Sequence, residues 1–324
     1  MQYQRSESKD GLSIRMFHVK HKRRMFQVKH SLQEVLWLYK RDLRIITRRS
    51  IERSIVSNVA RKYPNRDCLV LGVINQKGGV GKSTTSVNLS AALGEQGFKV
   101  LLVDLDPQGN SSSGVGFDKT ECELSSYDCL LNDDVETKEI IVGVDTKGVD
   151  LIPATIDLAG AEAELVQEIS RESRLKEAIE EVRDEYDFVI IDCPPSLGLL
   201  TINALTASDQ LIIPIQCEFF ALEGLAKIVD SVNMVKKRLN KKLEIFGVVI
   251  TMFDGRTSLA KQVAEEVTNY FGEKVFKTKI PRTVRISEAP GYGMPITEYD
   301  SNGKGAVAYR ELAEETIKRY KAIR

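Results

Sequence analysis

A chain of 324 residues can hold one large α/β domain or two small ones around a sizeable core. Lys+Arg and Asp+Glu balance at 46 each, yet residues 1–68 carry 17 basic against 6 acidic residues, which leaves 29 against 40 for the rest. Five scattered cysteines with no C-x-x-C pair argue against a disulfide framework or a zinc site, and no apolar run approaches the roughly 20 residues of a membrane span.

No basic-then-apolar signal peptide opens the chain, so a cytoplasmic protein is expected. The charge boundary near residue 68 divides it into a basic N-terminal extension and a domain over 69–324. Within the extension, SLQEVLWLYKRDLRIITRRSIERSIVSNVARKY has the pattern of one or two basic helices, which suits either a DNA-binding arm or a solvated tail.

From Leu69 onward apolar runs alternate with helical patterns. LVLGVI (69–74), KVLLVDLD (99–106), VDLIPA (149–154), DFVIIDCPP (187–195), QLIIPIQ (210–216), EIFGVVITMFD (244–254) and VFKTKIP (275–281) read as strands. STTSVNLSAALGEQ, LAGAEAELVQEI, SRLKEAIEEVRDEY, ALEGLAKIVDSVNMVKKRL, SLAKQVAEEVTNYFG and AYRELAEETIKRYKAI read as helices between and after them. Near-continuous Val/Ile/Leu runs predict strands covered on both faces, hence an α/β fold with a mostly parallel twisted sheet and helices on both faces. Ligands of such sheets bind at the carboxyl ends of the strands, where the glycine-rich 75–83 segment, the acids at 104–106 and Asp192 all fall.

NQKGGVGKST (75–84) joins the first strand to the first helix and ends in the Gly-Lys-Ser of a phosphate loop. Gly78, Gly79 and Gly81 let backbone N–H groups close around phosphate oxygens, and the helix N-terminus adds its dipole. Lys82 is then the cation for the β/γ-phosphates, and the Ser83 hydroxyl a ligand of Mg²⁺. Two features depart from the common pattern. Gln76 holds the place of the first glycine, and a second lysine, Lys77, follows it. Asp192 closes FVIID in the manner of an aspartate that holds Mg²⁺ through water. Asp104 and Asp106 close VLLVDLD and need not share a role: one suits the metal or the attacking water and the other a structural role.

KGGVGKST, VLLVDLDPQGN, FVIIDCPPSLG, PIQCEFFALEGL, ITMFDGRTSLA and IPRTVRISEAP, in this order, resemble the ParA/Soj chromosome- and plasmid-partitioning ATPases. These belong to the deviant Walker A group of P-loop NTPases, with MinD and the nitrogenase iron protein. The resemblance runs from about residue 69 to the C-terminus and implies a slow, partner-stimulated ATPase that uses ATP and Mg²⁺. It implies an ATP-driven sandwich dimer in which Lys77 crosses the interface to the partner's phosphates, as an arginine finger does. Nucleotide contacts are implied for Lys77, Gly78, Gly79, Val80, Gly81, Lys82, Ser83 and Thr84, with Pro281 and Arg282 near the base. Asp106 matches the residue that positions the attacking water, and CEFFALEGL the segment that responds to nucleotide. Arg256 and Arg285 fall where Soj-like members carry arginines for non-specific double-stranded DNA. The implied partners are that DNA and a ParB-type centromere-binding protein, on the nucleoid rather than a membrane.

Other members of the group fit less well. A membrane-cycling MinD needs a basic amphipathic C-terminal helix, but AYRELAEETIKRYKAIR mixes acids with its bases and is expected to pack on the domain. An iron protein needs cysteines at its dimer axis, a spacing that Cys129 and Cys193 do not recreate. A biosynthetic ligase with a related loop is the enzyme-only alternative, and it has no need of the Arg256/Arg285 pair. The extension holds one further signal. MFHVKH (16–21) back-translates to ATG TTT CAC GTG AAA CAT, within which TGTTTCACGTGAAACA equals its own reverse complement. That is the form of the parS site ParB recognises, and MFQVKH (25–30) differs at one codon. Much of residues 1–68 is therefore expected to be translated regulatory DNA behind a start codon assigned too far upstream. Codons in the gene that break the palindrome refute this.

Overall fold

The structure is a computed structural model that describes residues 68–218 and 221–323. The expectations for the N-terminal extension lie outside the described residues. Eight strands form a single sheet: β1 (Leu69–Val73), β2 (Val100–Asp104), β3 (Val142–Gly143), β4 (Val149–Ile152), β5 (Phe188–Asp192), β6 (Gln210–Gln216), β7 (Glu244–Phe253) and β8 (Val275–Pro281). Their order across the sheet is β3-β4-β2-β5-β1-β6-β7-β8, and every pairing is parallel except that of the edge strand β3 with β4. All seven expected strands are present. The two-residue β3 is an addition that its sequence, too short for any period, does not announce.

The longer helices are α1 (Lys82–Glu95), α2 (Leu158–Leu165), α3 (Arg174–Val182), α4 (Leu199–Ala207), α5 (Ala221–Arg238), α6 (Ser258–Phe271) and α7 (Lys304–Ala322). Strand side chains alternate between two cores, as a period of two requires. Val70, Leu101, Val189 and Ile213 pack with Leu175, Ile179, Leu205, Ile228 and Val263 of α3 to α6. Their neighbours Leu71, Leu102, Phe188 and Ile190 pack on the other face with Val87 and Leu93 of α1 and Tyr309, Leu312 and Tyr320 of α7. The sheet is thus covered on both sides, which is why its strands read as unbroken apolar runs. Helix α7 packs on the domain as expected: Tyr320 is fully buried, its ring 4.9 Å from that of Phe188. Among the described residues no helix is long and apolar enough to cross a membrane.

Helix α4 was not foreseen. LLTINALTA buries Leu200, Thr201, Asn203, Ala204 and Leu205 on nearly all sides, so no polar stripe marks its period. The Asn203 amide is satisfied inside, with its nitrogen donating to the Arg171 carbonyl at 2.7 Å and its oxygen accepting from Leu175 N at 3.2 Å.

Candidate nucleotide site

The strand order places β1 between β5 and β6, so the loop after β1 emerges at the centre of the carboxyl edge. Asn75 starts the loop and fixes it: its Nδ2 donates to the Pro214 carbonyl at 2.7 Å, and its Oδ1 accepts from Lys77 N at 2.9 Å. The loop ends tied to β7, where the Thr251 hydroxyl donates to the Val80 carbonyl at 2.7 Å. Between these anchors Gly79 and Gly81 have φ of +75° and +89°, a region that costs other residues strain. A Cβ added at Gly78 or Gly79 meets no protein atom within 4 Å, so the concave side of the loop is open for phosphate. No side chain caps α1 at Gly81, which leaves the helix N-terminus to an outside anion.

Lys82 opens α1 with 6% of its surface exposed, and its Nζ lies 3.3 Å from the Lys77 carbonyl across the loop. Burial pushes its ammonium below the usual lysine range, against the pull of Asp192 and Asp106. Lys77 occupies a different setting. Its side chain is about half exposed at the mouth of the loop and pairs with the carboxylate of Glu218, in the segment after β6. Two lysines five positions apart therefore have separate environments, one inside the loop and one outside it. Gln76, in the place of the usual first glycine, turns its amide nitrogen into the protein, where it is buried without a hydrogen-bond partner among the described residues.

Asp192 and Asp104 end adjacent strands in direct register and are both fully buried. Asp104 is the structural member of the acidic pair. Its Oδ2 accepts from the Ser112 N–H and hydroxyl, both at 2.7 Å, and its Oδ1 from Asp106 N at 3.2 Å. Burial, with Asp192 beside it, pushes its carboxyl up to about 7. Asp192 accepts from the Ser86 hydroxyl at 3.1 Å and from the Ser111 hydroxyl at 2.7 Å. Burial raises it to about 6, while hydrogen bonds from Ser83 and Ser111 hold it down. Asp106, buried beyond the strand end, accepts from Gln108 N at 2.9 Å and lies close enough to Lys82 and Asp192 to act on both. Ser86 and Ser111 are site residues that sequence reasoning missed. Ser86 lies one helical turn beyond Lys82, a spacing that could have flagged it, whereas Ser111 carries no such signal.

Among the described residues no three His, Cys, Asp or Glu side chains group into a metal site. One aspartate and one serine hydroxyl suit Mg²⁺, which takes few protein ligands and completes its octahedron with water and phosphate oxygens. Cys193, next to Asp192, is fully buried, and burial pushes its thiol well above the usual range, so it packs as a small apolar residue.

The remaining expected residues lie farther along the same edge. Pro281 pairs with Phe253 at the end of β8, and Arg282 N donates to the Phe253 carbonyl at 3.3 Å. They are three strands from β1, or about 14 Å by inter-strand spacing. Arg256 is 90% exposed and engages Asp254 through two bonds, Nε to Oδ1 at 2.8 Å and Nη2 to Oδ2 at 2.7 Å. That grip holds the Asp254 carboxyl down to about 2. Arg285 pairs with Glu288 at 3.2 Å. Both arginines thus have local acidic partners. Lys277 and Lys279 lie on the exposed face of β8, the latter 4.6 Å from the Phe253 ring centre.

Comparison with known proteins gives this geometry a lineage. The AAA domain family matches residues 69–245. The sporulation initiation inhibitor protein Soj of Bacillus subtilis is 57% identical over 246 residues, which are 97% of that protein and 76% of this chain. The chromosome partitioning protein ParA of Caulobacter vibrioides is 49% identical over 252 residues, 94% of its length and 77% of this chain. The chain belongs to the ParA/Soj family of chromosome-partitioning ATPases. Its P-loop fold extends beyond that family. Cobyrinic acid a,c-diamide synthase of Mycobacterium smegmatis, solved with bound ADP and magnesium, superposes with a TM-score of 0.70 at 40% identity, covering 79% of this chain and 97% of that one. The septum site-determining protein MinD of Pyrococcus horikoshii, complexed with Mg-ADP, gives a TM-score of 0.63 at 29% identity, covering 76% and 95%. For a ParA/Soj member, the two lysines of residues 77 and 82 are the feature to explain.

Proposed function

We propose that the chain is an ATP-dependent DNA-partitioning switch whose ATP-bound form is a sandwich dimer. The observation that carries this is the contrast between Lys82, buried within the phosphate loop, and Lys77, half-exposed at its mouth. A loop that already holds its own cation needs no second one for its own phosphates, and the partner of Lys77 within the chain is the half-exposed Glu218. Across a two-fold interface, each Lys77 reaches the partner's nucleotide and stabilises charge that develops on the transferring phosphoryl group. ATP binding and association then become one linked equilibrium.

Within each subunit, Gly78, Gly79, Val80, Gly81, Ser83 and Thr84 cradle the phosphates, and Pro281 and Arg282 border the base. Mg²⁺, held through Ser83 and Asp192, would supply positive charge against the β- and γ-phosphate oxygens. Lys82 neutralises the same charge from inside the loop, and Asp106 orients the attacking water. Arg256 and Arg285 contact DNA phosphates without base readout, and a ParB-type protein stimulates the slow hydrolysis that releases the dimer. The protein works on the nucleoid in the cytoplasm.

Co-sedimentation with duplex DNA tests the reading, using ATP, ADP or no nucleotide, with and without the ParB-type protein. Retention only with ATP, relieved by that protein, is expected, and nucleotide-independent retention overturns it. The likeness to a diamide synthase favours one second reading, a biosynthetic enzyme that activates a small acceptor. Turnover that requires such an acceptor replaces the first reading with this one. Binding to liposomes with ATP, but not to DNA, replaces it with a membrane-cycling ATPase.

A further inference from the structure

We infer that the turn between α5 and β7 is a second DNA-contacting surface, on the edge of the sheet opposite Arg256 and Arg285. This rests on the DNA-binding reading above and adds a site to it. Lys237, Arg238, Lys241 and Lys242 place four exposed cations within six residues, and none forms an ion pair among the described residues. Two neighbouring carboxylates are already engaged. Glu244 is paired with Lys236 and lies 3.7 Å from Lys274, and Asp209 is held by Arg183 at 2.6 Å. The C-terminal dipole of α5 accounts for bases in its last turn, at 237 and 238, but not for Lys241 and Lys242 beyond the helix.

The turn is built to hold still. Asn240 Nδ2 faces the carbonyls of Leu205, Thr206 and Ser208 at 3.1, 3.2 and 2.7 Å, and Leu243 is fully buried beneath. Leu239 N and Asn240 N both donate to the Val235 carbonyl, at 2.8 and 3.0 Å. The cations therefore stand on a fixed backbone, which lowers the ordering cost of binding.

The surface also has a defined place. The turn precedes Glu244, the first residue of β7, and Arg256 follows Phe253, its last. Ten residues of strand put about 33 Å between the two edges. That separation leaves room for two duplexes, so each surface is assigned its own DNA segment, with the protein bridging them. A bilayer fits less well. Met234 and Leu239 are the exposed large apolar side chains beside the cluster, and a single acyl chain alone gives only marginal membrane attachment.

The test uses the full chain with Mg²⁺ and a slowly hydrolysed ATP analogue on bead-bound duplex, to which a second, labelled duplex is added. The variant carries Lys237→Gln, Arg238→Gln, Lys241→Gln and Lys242→Gln, all at exposed positions outside the nucleotide site. It is expected to bind the bead duplex within about threefold of the parent and to capture at least about tenfold less labelled duplex. The slope of log capture against log salt should fall by about 3–4, as the loss of four phosphate contacts requires. Capture equal to the parent's overturns the second surface while leaving the first intact. Unchanged DNA capture with loss of binding to anionic phospholipid vesicles overturns it in favour of a membrane. A parent that binds no duplex at all overturns both this site and the DNA reading beneath it.

Discussion

Lys77 and Glu218 form an ion pair across 141 residues of sequence, at the mouth of the phosphate loop. In the proposed dimer the amine turns to the partner's phosphate, so this ion pair competes with association. Both side chains are about half-exposed, which limits the cost to at most about 1 kcal/mol. Each of the two protomers gives up one such pair, so Glu218→Gln should let the dimer form with a slowly hydrolysed ATP analogue at up to about thirtyfold lower protein concentration, measured by light scattering. An unchanged or weaker association constant removes Glu218 from the switch. Lys77→Ala should keep ATP binding but lower turnover on the order of 10³-fold, by analogy with arginine fingers.

Lys82→Ala removes a buried ammonium that burial already disfavours. The melting temperature without nucleotide should hold or rise, whereas the increase on adding ATP and Mg²⁺ should vanish. A variant that melts lower yet still responds to ATP contradicts the assignment of Lys82 to phosphate.

Asp104 and Asp192 give the nucleotide-free protein an unusual pH response. Both carboxyls are raised on folding, to about 7 and about 6, so folding favours their protonated forms. Their contribution to stability is present in full below about pH 4 and is lost as pH rises toward 7. In Asp104→Asn one of these titrations is absent. The difference in unfolding free energy between parent and variant, followed by urea titration, should shift in the variant's favour from pH 5 to pH 8. A pH-independent difference shows that Asp104 is not raised.

Arg256 is held by Asp254, and under the proposed DNA contact that carboxylate competes with phosphate for it. Asp254→Asn removes the competing charge and should raise ATP-dependent DNA affinity a few-fold, whereas Arg256→Glu with Arg285→Glu should abolish retention and preserve dimers. Unchanged retention by the double variant counts against this surface. Retention by the parent should also fall steeply with salt.

The strands were legible because burial on both faces turned them into continuous apolar runs, and β6 and β8 match their expected limits residue for residue. The phosphate loop was legible because its function needs fixed residue types at fixed spacing. Helix α4 was not, since a helix packed on nearly every side has no polar stripe. Nor was the role of Glu218: it lies within the CEFFALEGL stretch, but only the fold brings it to Lys77. The Asp254 partner of Arg256 was available two positions upstream, as an Asp whose side chain folds back over the following turn.

The strand that delivers the phosphate loop is fifth of eight across the sheet, with ladders on both its flanks. Fraying of a sheet starts at its borders, here β3 and β8, and must pass several strands before it reaches β1. Amide protons of Leu71 and Gly72 should accordingly exchange with deuterium only when the whole molecule opens. The margins of the same sheet, β3 on one side and β8 with Pro281 on the other, can breathe without disturbing the loop after β1.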